Sequence, residues 1–142
     1  MANAEYTSFK TGIMGGLIDL DTAVLKCAFV RGYTFDATDV FVSDVVATGT
    51  LNGTSAALSN VSLTGGVLDA DDTTITTTAN ATDHGLLLFQ ASAVTGGADV
   101  AQNAQRLIAY YDTGDGFPIQ PGTGSTPVTW SSGASKILKV GS

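Results

Sequence analysis

The apolar positions near the start of the chain repeat at helical spacing. Phe9, Ile13, Met14 and Leu17 stand at i, i+4, i+5 and i+8, one stripe of a short amphipathic helix over Ser8 to Ile18. Thr7 or Ser8 is a candidate N-cap, and Gly15-Gly16 loosens the far end. Asp19-Leu20-Asp21-Thr22 reads as a turn. From Ala23 to Arg31 the helical period is gone. Val24, Leu25, Cys27, Phe29 and Val30 put apolar groups on both faces of an extended segment, which predicts a central strand. Thr34 to Val46 is open between two readings: Val40, Phe41 and Val45 suit a short helix, and the β-branched residues suit an irregular edge segment.

From Thr48 to Thr78, Gly, Asn, Ser and Thr interrupt short apolar runs at Val61 to Leu63, Val67-Leu68 and Thr73 to Thr77. These are expected to be strands broken by tight turns. Gly65-Gly66 between two of them is a hairpin signal, because two-residue hairpin loops need positive φ. Four stronger strands follow at Gly85 to Gln90, Leu107 to Tyr111, Thr126 to Trp130 and Lys136 to Val140, separated by Gly96-Gly97, Gly114-Asp115-Gly116 with Pro118, Pro121-Gly122 and Ser131-Ser132-Gly133. Short strands at about ten-residue spacing, with no βαβ alternation, predict an all-β chain. The expected architecture is an antiparallel β-sandwich or a jelly-roll-like, partly closed barrel with one short N-terminal helix. No repeat or linker divides residues 1–142, so a single β domain is expected, with residues 1–20 as an N-terminal segment.

Composition agrees with this pattern. Of 13 acidic residues all but Glu5 are Asp, a residue that prefers turns and caps to helix interiors. Only 13% of residues are charged, fewer than solvated helices normally carry. The net charge of −7 works against nucleic acid or an anionic membrane surface as a partner. No basic n-region, cleavable apolar stretch or 18-residue apolar run is present, so the protein is expected to stay in the cytoplasm where it is made. The triplets starting at Asn52, Asn60 and Asn80 then read as Asn- and Thr-rich turns and not as glycan acceptors.

Each motif that could carry chemistry has a plainer reading. Asp112-Thr113-Gly114 matches the tripeptide of dimeric aspartic proteases and follows an apolar strand, but Asp115 would add a like charge beside a dyad that must share one proton. Asp69, Asp71 and Asp72, or Asp19 with Asp21, could gather at a surface calcium ion; the first set lacks the Gly and Glu positions of an EF-hand loop. His84 and Cys27 are each single in the sequence and cannot assemble a zinc site, and no G-x-S-x-G elbow accompanies them. Gly122-Thr123-Gly124-Ser125-Thr126 lacks the P-loop Lys and reads as a turn. Tyr6, Tyr33, Tyr110, Tyr111 and Trp130 could stack on sugar rings, or pack the core or a subunit interface. No enzyme activity and no cofactor are expected from this set.

The run Phe9-Lys10-Thr11-Gly12-Ile13-Met14-Gly15-Gly16-Leu17 leading into Asp21 through Tyr33 resembles small proteins encoded among the head genes of tailed bacteriophages. So do Ala91 to Gly97, Arg106 to Gly114, Val128-Thr129-Trp130 and Lys136 to Val140. The resemblance implies a capsid decoration, or cement, protein: a β-rich subunit, commonly trimeric, that binds the major capsid protein on the outer face of the assembled shell and is found on the virion. It implies no catalytic residues. The stripe Phe9, Ile13, Met14 and Leu17 is the candidate docking element, either lying on a neighbour or plugging one end of its own sandwich. Two other readings stand beside this one: a tail-tube or head-tail joining subunit that forms rings, and a carbohydrate-binding adhesion module whose Tyr110, Tyr111 or Trp130 would be exposed.

Overall fold

The structure, a computed structural model, describes residues 3–78, 82–83, 85–113, 119–133 and 137–139. In chain order the elements are β1 (Ala4–Glu5), α1 (Thr7–Met14), β2 (Leu25–Arg31), α2 (Val42–Thr48), β3 (Thr50–Thr54), β4 (Ser62–Thr64), β5 (Val67–Asp69), β6 (Thr73–Thr77), β7 (Gly85–Gln90), β8 (Arg106–Tyr111), β9 (Gly124–Val128) and β10 (Leu138–Lys139). They form a five-stranded sheet in the order β1-β8-β7-β2-β3, a three-stranded sheet β10-β5-β4 and a ribbon β6-β9. Among the described residues all the strand pairs are antiparallel, and no sheet closes on itself. The all-β sandwich is therefore what forms, without the barrel closure that the sequence left open.

The main sheet is organised around β7, in which every residue from Gly85 to Gln90 is buried. Its register with β2 pairs Cys27 with Leu88, Ala28 with Leu87 and Phe29 with Leu86. Directly opposed residues share a face, so Cys27, Phe29, Leu86 and Leu88 form one apolar face and Ala28, Val30 and Leu87 form the other. Both must be covered. On the first face Tyr111, opposite Leu86, donates its hydroxyl to the Ile137 carbonyl at 2.8 Å, and Ile137 N–H in turn reaches the Leu68 carbonyl at 3.2 Å. This ties the main sheet to the three-stranded one.

The other face carries an aromatic cluster. Tyr110, opposite Leu87, meets Tyr33 edge-on with ring centroids 5.3 Å apart and stacks on Phe35 at 6.0 Å; Phe35 meets Tyr6 at 4.9 Å. Gly85 is what gives the Tyr110 ring its place. A Cβ at residue 85 would collide with the Tyr110 ring carbons and hydroxyl.

Thr34 to Val46 resolves into irregular chain followed by α2, a second helix that joins the expected one. Its start is held by Asp44, whose carboxylate accepts the N–H groups of Val40 and Phe41 at 3.0 and 2.9 Å, while Val42 and Val45 are buried. β1 and β3 are strands that the hydrophobic pattern did not announce. The β4–β5 hairpin turns at Gly65-Gly66 with φ of 61° and 77°, as the pair of glycines predicts. The expected last strand survives as Leu138–Lys139; Lys136 and Val140 lie outside the described residues.

Gly85→Ala tests the covering of β7. Forcing a methyl group into the Tyr110 ring should cost about 1–3 kcal/mol, seen as a lower urea midpoint at an unchanged m-value.

Candidate functional site

α1 divides the predicted docking stripe. Phe9 is fully buried and Ile13 is half-buried against the core, whereas Met14 is 88% and Leu17 44% exposed. The division follows from how the helix ends. Gly16, at φ 71°, takes the left-handed conformation that glycine adopts most easily; its N–H reaches the Ile13 carbonyl at 3.2 Å and the Leu17 N–H reaches the Gly12 carbonyl at 2.8 Å. These two bonds are the Schellman pattern. The reversal sends Ile18 back onto Gly12, where its side chain would touch any added Cβ, and leaves Leu17 outside beside Met14.

Both ends of this segment are fastened. At the start, Thr7 N–H donates to the Ala37 carbonyl at 3.0 Å and Ser8 Oγ to the Asp39 carbonyl at 2.8 Å. Tyr6 donates its hydroxyl to that of Tyr33 at 3.1 Å, and Tyr33 donates to Asp39 Oδ2 at 2.8 Å. Sequence reasoning gave no notice of this chain, whose members stand 27 and 6 residues apart. Burial drives the Tyr6 phenol far above its ordinary range and holds that of Tyr33 up to about 12, so both remain donors at neutral pH. At the other end Gln90, the last residue of β7, accepts Asp19 N–H at 3.0 Å and donates to the Leu17 carbonyl at 3.3 Å.

The other sequence candidates are taken up by the fold. Tyr6, Tyr33 and Tyr110 are buried, Tyr111 spends its hydroxyl on Ile137, and the half-buried Trp130 donates its indole N–H to the Asp71 carbonyl at 3.1 Å. These tyrosines offer no sugar-stacking platform. The Asp19 carboxylate accepts the N–H groups of Asp21 and Thr22 and the Thr22 hydroxyl, the last at 2.6 Å. Asp71 accepts from Asn60 Nδ2 at 2.6 Å and Asp72 from Trp130 N–H at 2.9 Å. Among the described residues no group of three or more His, Cys, Asp or Glu is placed to hold a metal ion.

Asp112 and Thr113 donate their N–H groups to Asn3 Oδ1 at 3.0 Å each, and the Thr113 hydroxyl joins them at 2.9 Å. Asp112 and Thr113 are thereby fastened to the N-terminal segment; Gly114 and His84 lie outside the described residues. Cys27 is buried, and burial pushes its thiol up to about 11, far from a reactive thiolate. Asn52 lies buried in β3 and not in a turn as expected, Asn60 is engaged with Asp71, and Asn80 lies outside the described residues. Among the described residues no helix is long and apolar enough to cross a membrane. Compared with known proteins, the chain matches no family model, no curated protein and no solved structure.

Two results follow from this arrangement. Met14→Ser with Leu17→Ser should leave the urea midpoint nearly unchanged, whereas Phe9→Ala should cost about 3–5 kcal/mol, because only Phe9 fills core volume. The carboxyls should separate by pH. The Thr22 hydroxyl and the neighbouring N–H groups hold Asp19 below its ordinary range, so the stability it contributes is present above that range and lost as pH falls. Burial, with the charges of Asp36 and Asp44, raises Asp39, so what it contributes is complete at low pH and lost as pH rises. Urea midpoints across the carboxylate range should show Asp19→Ala losing ground to the parent as pH rises and Asp39→Asn gaining on it.

Proposed function

We propose that this chain is a decoration protein of a tailed-bacteriophage capsid, which binds the major capsid protein on the outer shell as a homotrimer and acts by binding alone. The observation that carries the reading is the exposed end of α1. In a domain whose tyrosines, turn carboxylates and thiol serve its own fold, Met14 and Leu17 project from a segment fastened at both ends. An anchored apolar projection suits docking, because little side-chain and loop entropy remains to be lost on contact. The resemblance of the Phe9-to-Leu17 and Asp21-to-Tyr33 segments to phage head proteins supplies the partner.

Stabilisation of the shell then needs no turnover. A ligand that binds the assembled state and not its loose subunits shifts the equilibrium toward assembly by mass action, and three linked copies sharpen the effect. The carbohydrate-binding alternative needs Tyr110, Tyr111 or Trp130 exposed, and it is disfavoured because Tyr110 is buried and Tyr111 and Trp130 are half-buried with their polar groups bonded inside the fold.

Light scattering of the purified protein, followed by pelleting with undecorated phage heads, tests this. A trimer that co-pellets at saturating, shell-proportional stoichiometry is expected. The Met14→Ser, Leu17→Ser pair should weaken capture by about tenfold or more, the loss of roughly one buried apolar side chain per subunit. A stable ring with no affinity for heads would sink the proposal and point to a tail or joining role.

A further inference from the structure

β3 contains the one Asn-Gly pair of the sequence, Asn52-Gly53, and the structure gives that pair a special position. Between the pairs Ala28–Thr54 and Val30–Leu51, Asn52 and Gly53 of β3 together oppose Phe29 of β2, a bulge of two residues against one. The bulge turns Asn52 inward, where it is 1% exposed. Its Nδ2 donates to Asp83 Oδ2 at 2.8 Å and its Oδ1 accepts Thr78 N–H at 3.1 Å. Gly53 holds φ at 85°, and a Cβ there would run into the Thr76 carbonyl oxygen, so no other residue fits without moving β6. The fold thus requires the dipeptide that is chemically most prone to lose its side-chain amide, since an unsubstituted glycine lets its backbone nitrogen reach the preceding side chain.

We infer that Asn52 is a deamidation site gated by folding: it converts in chains that remain unfolded, is protected in folded ones, and its conversion bars the chain from the native state. In the reaction the Gly53 backbone nitrogen attacks Asn52 Cγ, the Cγ–Nδ2 bond breaks, and ammonia leaves with the amide proton. Water then opens the resulting cyclic imide at either carbonyl, giving Asp or isoaspartate at residue 52. The folded chain resists each step. The strand backbone and the bonds from Asp83 and Thr78 hold the side-chain amide in place, and burial keeps water from it. Either product is incompatible with the site. Asp would set a second carboxylate against Asp83 where the Asn52 amide donated, and isoaspartate would lengthen the backbone inside the bulge.

The test uses the full chain and needs no variant for its first arm. Aliquots are aged at mildly alkaline pH in buffer and in concentrated urea, and peptides containing Asn52 and the exposed Asn103 are mapped by mass. Conversion at Asn52 should lead in urea and fall on the order of a hundredfold or more in the folded chain, since reaction would require opening of the sheet. Asn103 should change far less between the two. Equal rates at Asn52 in both conditions would overturn the inference. In the second arm the urea-aged sample is refolded and treated with protease: the converted molecules should be digested and the unconverted ones survive. Converted chains that refold with the parental urea midpoint would overturn it equally.

Discussion

The structure depends on β7 having no exposed face. A strand whose six residues are all buried must be covered on both sides, and it also needs a hydrogen-bonded neighbour along each edge. β2 and β8 supply the edges. The second sheet, through the Tyr111–Ile137 bond, serves one face; Tyr110 with Tyr33, Phe35 and Tyr6 serves the other. The N-terminal segment is therefore part of the core before it is anything else. Tyr6 and Phe9 are fully buried, and without them an apolar face would meet water.

The same requirement explains which elements the sequence revealed. β2, β7 and β8 are long, apolar runs with turn signals on either side, and they stand where the pattern puts them. β6 was legible for a related reason, since its buried Ile75 and Thr77 alternate with exposed threonines. β3 was not: Thr50-Leu51-Asn52-Gly53-Thr54 has little apolar content and is broken by a bulge, so tertiary pairing and not alternation makes it a strand. β1 is two residues long and exists because β8 has a free edge. α2 competed with an extended reading because β-branched Val42, Val45 and Val46 fit either, and the Asp44 contacts with Val40 and Phe41 decided it.

The docking stripe was partly legible, and the reason is local. Spacing of i, i+4, i+5 and i+8 places four residues on one face only while the helix continues, but α1 ends at Met14. Leu17 is then positioned by the Gly16 turn and not by the helical period. Sequence alone could not divide Phe9 from Met14 either, since both belong to an apolar stripe and only the packing of β8 and the loop at Ala37 to Asp39 shows which side faces inward. The acidic residues were better indicated. Asp in place of Glu signalled turns, and Asp19, Asp36 and Asp44 each bind backbone donors of a turn or helix start, whereas Asp71 and Asp72 accept from Asn60 Nδ2 and Trp130 N–H, farther along the chain.

Fastening of α1 gives these separate observations a common consequence. The hydrogen-bond chain from Tyr6 through Tyr33 to Asp39 joins the start of the helix to the aromatic side of the core, and Gln90 joins its end to β7 itself. Met14 and Leu17 thus project from a support continuous with the most buried strand in the molecule. Two exposed aliphatic side chains on a mobile tail would lose much of their transfer energy to the ordering of that tail. On a support already fixed by the core, most of it is available for contact, and in the homotrimer proposed above repetition across subunits would multiply a modest single-site affinity. A small patch can then serve a binding role for which a larger one would invite aggregation of the free chain.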